Sequence, residues 1–130
     1  CFVEDVSIAN IAAAREAYLG GRLRESLARY HDDPDSAFWG WNEVWLDPGF
    51  RDWNIEAEVA KIAAPVLAVQ GLDDEYGTLE QIRAIRRRLP AAELLELPGC
   101  RHSPHRDQPD AVIAATRSFI DRHEPRRQPR

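Results

Sequence analysis

The sequence predicts an α/β fold, a β-α-β-α unit over residues 63–123 preceded by a helical, aromatic-rich region over residues 1–62. Three observations carry this. Val66 to Gln70 is an almost unbroken apolar run of strand length, as in a strand buried on both faces of a parallel sheet. Glu93 to Leu97 is a second run of strand length. Between them lies a segment with Leu79, Ile82, Ile85 and Leu89 at helical spacing, the pattern of a crossover connection.

The helical region is built element by element. Ser7 to Leu19 places Ile8, Ile11, Ala12, Arg15, Tyr18 and Leu19 mostly at helical spacing, and Gly20-Gly21 stops it. A short helix is expected from Leu23 to Tyr30, with Leu23, Leu27 and Tyr30 on one face. His31 to Asp35 reads as a turn. Ser36 suits the N-cap of a third helix whose apolar side carries Phe38, Trp41, Val44 and Trp45, and Asp47-Pro48-Gly49 breaks it. Trp53, Ile55, Val59 and Ile62 mark one more short helix or irregular turn.

In the second region, Thr78 and Gln81 have the spacing of a capping box. The helix they open turns Arg83, Arg86 and Arg87 outward and ends at Pro90. A last helix starts at Asp107 or Gln108, with Pro109 in its first turn and Val112, Ile113, Thr116, Phe119 and Ile120 toward the core. The Pro/Arg-rich stretch 124–130 is expected to be a loose basic tail. Two strands make too small a sheet to stand alone. Other strands must complete it, from a missing N-terminal half of the same fold or by self-association through exposed strand edges.

Composition narrows the function. The 130 residues carry a net charge of −5, which argues against nucleic acid as the main partner. No apolar run approaches the roughly 20 residues of a membrane span, so no membrane partner is expected. No signal-peptide pattern opens the chain and it has no Met, the pattern of a processed or excised chain. Cys1 and Cys100 make no disulfide framework, and a reducing, cytoplasmic setting follows. Cys100 is read as a small buried filler rather than a nucleophile.

Chemistry gathers past the carboxyl ends of parallel strands. Asp74 and His102 both stand there, each in the loop after one of the two strands. A carboxylate accepting from Nδ1–H fixes an imidazole as a general base. The alternative is that Asp74 caps the turn before Thr78 and His102 is an ordinary loop residue. Asp73 is the rival acid, because a shift of one residue turns the side chain to the other face.

These residues resemble the C-terminal half of α/β-hydrolase fold enzymes. The likeness rests on the strand Ala64 to Gln70, the Gly71-x-x-Asp74 turn, the Pro98-Gly99-Cys100-Arg101-His102 loop and a Pro109-Asp110 helix, and it covers about residues 62–122. It implies that Asp74 is the acid and His102 the base of a catalytic triad, and that residues 1–62 are a cap or lid. Where the family often has Gly or another small residue before the histidine, this chain has Arg101, whose side chain is expected to point to solvent.

The family's nucleophile elbow, G-x-S-x-G, does not occur here. Ser7, Ser26, Ser36, Ser103 and Ser118 stand in other contexts. The nucleophile (Ser, Asp or Cys) is therefore expected outside this chain, which alone should be inactive. The resemblance implies a hydrolase of a small, fairly apolar ester, thioester or C–C bonded carbonyl substrate. Trp39 and Trp53 are the candidate substrate contacts. A non-catalytic binding protein of the same fold is the alternative.

His102-x-x-His105-x-Asp107 is weighed as a metal site, but Pro104 interrupts it and no helix pattern supports it. No metal and no cofactor is expected. Asp73-Asp74-Glu75 reads as a solvated acidic turn, and Arg86 to Arg88 as an exposed helix face.

Overall fold

The computed structural model describes residues 1–124; the rest of the expected basic tail, 125–130, lies outside the described residues. The chain folds as two compact units.

The first unit comprises Phe2–Asn54 with Glu75–Gly77. It contains α1 (Asp5–Leu19), α2 (Arg22–Leu27), α3 (Pro34–Leu46) and a 3-10 turn at Pro48–Phe50. Helix α1 ends where the sequence predicts, with Gly20 at its C-cap and Gly21 in the left-handed region at φ 88°. Helix α2 ends three residues earlier than expected, and Tyr30 lies exposed beyond it. Helix α3 is capped by Asp33 rather than Ser36: the Asp33 carboxylate accepts from the Ser36 N–H at 3.0 Å. Proline at the following position suits the first helical turn, where its missing N–H has no partner to lose.

The inward side of α3 also departs from the pattern. Pro34, Phe38 and Asn42 are buried, while Trp41 and Val44 are exposed. The i, i+4, i+8 stripe includes a polar residue because Asn42 donates from Nδ2 to the Ile11 carbonyl at 3.1 Å, which lowers the cost of burying the amide. Phe38 stacks on Tyr18 with ring centroids 3.9 Å apart and planes 8° from parallel. The Tyr18 hydroxyl donates to Asp35 at 2.6 Å, and Arg24 donates to both oxygens of the same carboxylate at 2.9 and 2.6 Å. One acid thus ties α1, α2 and α3 together.

The second unit comprises Cys1, Ile55–Asp74 and the described chain from Thr78 onward. It contains α4 (Glu56–Val59), β1 (Leu67–Gly71), α5 (Glu80–Arg88), β2 (Glu93–Leu97), α6 (Pro104–Asp107) and α7 (Pro109–His123). Strands β1 and β2 pair in parallel, with Leu67 opposite Glu93 and Gly71 opposite Leu97. The sequence predicts both strands to within one residue. Helix α5 packs on the pair, with Ile82 and Ala84 buried and Arg83, Arg86, Arg87 and Arg88 outward.

Three expectations are corrected here. The N-cap of α5 is Leu79, one residue after the expected Thr78; Thr78 Oγ1 accepts from the Glu80 N–H at 3.2 Å, and the Gln81 side chain accepts from the Cys1 nitrogen. Strand β1 is not sealed on both faces, for Ala68 and Gln70 are buried while Leu67 and Val69 are half-buried. On α7, Ile113 is 54% and Ile120 43% exposed, and no α7 residue is fully buried. Among the described residues the sheet holds two strands, too little surface to cover that helix. The short α6, unforeseen in the sequence, precedes α7.

Candidate active site

The site is built where β1 and β2 end side by side. After Gly71, the last residue of β1, the chain turns through Leu72 and Asp73. After β2 it turns through Pro98 and Gly99, where Gly99 takes φ 65°, a left-handed conformation that favours glycine. The two loops are bonded to each other: Leu72 N–H donates to the Leu97 carbonyl and Asp73 N–H to the Cys100 carbonyl, both at 2.9 Å. Their closeness depends on Gly71. A Cβ there would lie 2.1 Å from the Cys100 carbonyl oxygen and 2.4 Å from that of Arg101.

Further bonds shape the second loop. Asp107 accepts from the Arg101 N–H at 2.8 Å, and Gln108 donates to the Pro98 carbonyl at 2.7 Å. Helix α6 thereby folds back against the loop and sets its curvature. Arg101 is exposed, as expected from the sequence.

At the tips of the loops, His102 Nδ1 lies 2.9 Å from Asp74 Oδ1. A carboxylate only accepts when ionised, so this contact is a hydrogen bond from the ring when the imidazole hydrogen is on Nδ1. The Asp74 side chain is 9% exposed and that of His102 57%. A largely covered acid therefore meets a ring that reaches solvent. In the Nδ1–H tautomer, Nε2 is the acceptor nitrogen of the ring. Between the rival acids, it is Asp74 that meets the ring.

Sequence reasoning missed Gln70. Its Nε2 donates to Asp74 Oδ2 at 3.2 Å and to the Thr78 carbonyl at 3.1 Å. The available signal was an amide at an inward strand position, two residues from buried Ala68 in an otherwise apolar run.

Cys100 is fully buried below the loop. Burial pushes its thiol above the ordinary range, and the carboxylates of Asp107, Asp73 and Asp74 push the same way. A thiol held neutral fills space and does not attack. Ser103 caps α6. Among the described residues no group of three His, Cys, Asp or Glu side chains is gathered as a metal ion requires.

Trp39 and Trp53 both belong to the helical unit, in separate aromatic groups. Trp39 packs edge-on to Tyr18 and Phe38, with the Arg15 guanidinium 5.3 Å from its ring centre. Trp53 stacks on Phe50 at 5.3 Å and meets Trp45 edge-on at 6.0 Å. Each is half-buried.

Solved structures share this architecture. A membrane phospholipase A described as a bacterial virulence factor is 27% identical at a TM-score of 0.55, over 66% of this chain and 27% of its own. A serine hydrolase of carbazole degradation, the CarC enzyme, is 23% identical at 0.57, over 69% of this chain and 35% of its own. The esterase RhEst1 from Rhodococcus sp. ECU1013 is 19% identical at 0.54, over 70% and 35%. The chain thus spans about a quarter to a third of the length of these proteins. No curated protein matches it. No described helix is long and apolar enough to cross a membrane. Residues 4–115 match the profile of the alpha/beta hydrolase family. With the parallel β1–β2 pair and the crossover helix between them, that match shows that the chain belongs to the α/β hydrolase family.

Proposed function

We propose that this chain carries the acid and the base of an α/β-fold hydrolase, Asp74 and His102, and that residues outside it supply the nucleophile. The reading is carried by the 2.9 Å approach of His102 Nδ1 to Asp74 Oδ1. His102 Nε2 takes the proton of the nucleophile as it attacks a carbonyl carbon and returns it to the leaving group. It then takes a proton from water as water attacks the acyl-enzyme and gives it to the nucleophile as the acyl bond to that group breaks, releasing the acid. Asp74 stabilises the imidazolium formed in each step. The substrate is a small, fairly apolar ester, thioester or C–C bonded carbonyl compound. The relative named as a phospholipase A favours an ester. Trp39 and Trp53 give the substrate apolar contacts, and the helical region acts as cap. A reducing, cytoplasmic setting belongs to the same proposal. So does completion of the sheet along its open edges by preceding strands of the same fold or by a second copy.

The test joins this chain to the residues that precede it in its gene and follows hydrolysis of p-nitrophenyl acetate. Asp74→Asn and His102→Ala should each lower kcat by about 10⁴-fold with unchanged circular dichroism. The chain alone should show no turnover above buffer. Near-normal rates in both variants would overturn the proposal.

A further inference from the structure

We infer that Gln70 is a positioning residue, which sets the rotation of the Asp74 carboxylate and through it the tautomer of His102. The inference rests on the reading of Asp74 and His102 as acid and base. A carboxylate turns easily about its last torsion, because that torsion is broad and roughly two-fold. The His102 ring is too exposed to hold it alone. Gln70 is the last residue but one of β1 and is buried, and its Nε2 donates to Asp74 Oδ2 at 3.2 Å and to the Thr78 backbone carbonyl at 3.1 Å.

A primary amide nitrogen has two N–H donors, and here both are used. The Thr78 carbonyl belongs to the backbone just before α5, so it fixes the plane of the amide. With that plane fixed, the other N–H aims at Oδ2 and leaves Oδ1 toward the imidazole. Both partners are acceptors, so the opposite assignment of the amide, with oxygen facing them, would set oxygen against oxygen. An amide at an inward strand position costs desolvation that an apolar side chain would not. Packing alone gives no reason for it.

The test is the tautomer of His102 in the full chain, read from histidine ring ¹⁵N shifts at about pH 8.5, where an ordinary imidazole is neutral. In the unmodified protein the Nδ1–H form should dominate. Asp74→Asn should shift the population toward the Nε2–H form. Gln70→Met, which keeps length but loses both donors, should shift it in the same direction with unchanged circular dichroism. If neither variant moves the tautomer, the pairing of Asp74 with His102 fails. If Asp74→Asn moves it and Gln70→Met does not, the positioning role fails while the pair stands. If Gln70→Met does not fold, the Gln70 side-chain amide decides the matter by hydrogen exchange. Slow exchange in the unmodified chain and faster exchange in Asp74→Asn support the role, and fast exchange in both overturns it.

Discussion

The Gly71 backbone and the Cys100 carbonyl approach so closely that no side chain fits between them: a Cβ on Gly71 would stand 2.1 Å from the oxygen. The obstacle is backbone, which cannot swing aside as the end of a side chain would. Gly71→Ala should therefore force the β2 loop outward. The expected cost is about 3 kcal/mol, at the upper end for overpacked sites. Urea unfolding of the variant measures it, and the His102 ring resonances should shift with the loop.

Removing the aromatic stack should damage the helical unit. Phe38 is fully buried, lies flat on Tyr18 and meets Trp39 and Trp41 edge-on. Phe38→Ala should cost about 3–5 kcal/mol, seen as a lower urea midpoint by tryptophan fluorescence.

Asp35 should make that same unit acid-sensitive. Hydrogen bonds from Arg24, then from Tyr18, hold its carboxyl down to about 2, below the roughly 3.9 of an unfolded Asp. A depressed folded value means the unfolded chain binds the proton first as pH falls. The stabilisation is complete above about pH 4 and disappears as pH falls through about 2. Asp35→Asn should flatten the dependence of stability on pH across that window, measured by thermal melts. Burial, and then the neighbouring Asp35, raise the Tyr18 phenol, so it remains a hydrogen donor at neutral pH.

Cys100 should resist thiol reagents in the folded chain. Its burial and raised thiol leave little thiolate. Alkylation by iodoacetamide at about pH 8, located by peptide mass, should be slow at Cys100 and rise sharply in urea. Rapid labelling of Cys100 under native conditions would contradict the buried position.

Much of this was legible in sequence, for reasons visible at particular residues. Val66 to Gln70 and Glu93 to Leu97 read as strands because length and apolar content coincide there, and Gly20-Gly21 and Pro90 punctuate clearly. The Asp74 and His102 positions were legible because each follows a strand end. What failed depended on choices among near-equivalent polar groups. Ser36 and Asp33 both suit an N-cap, and the bond from Ser36 N–H decided for Asp33. Asn42 reads as outward in any apolar count, and only the Ile11 carbonyl makes it an inward residue. Gln70 reads as part of an apolar run because its partners, Asp74 and Thr78, are distant by strand periodicity and near only after the chain turns back. Ile113 and Ile120 keep the helical spacing of core positions, yet the two-stranded sheet among the described residues leaves them exposed.

The bond from His102 to Asp74 spans 28 positions of sequence, all within a single strand-helix-strand passage and its two exit loops. Its length is set by the register of the two strands and by the turns that leave them. A recombination joint placed ahead of Pro65 would move the carboxylate and the imidazole together, so the pair is inherited or lost as one unit.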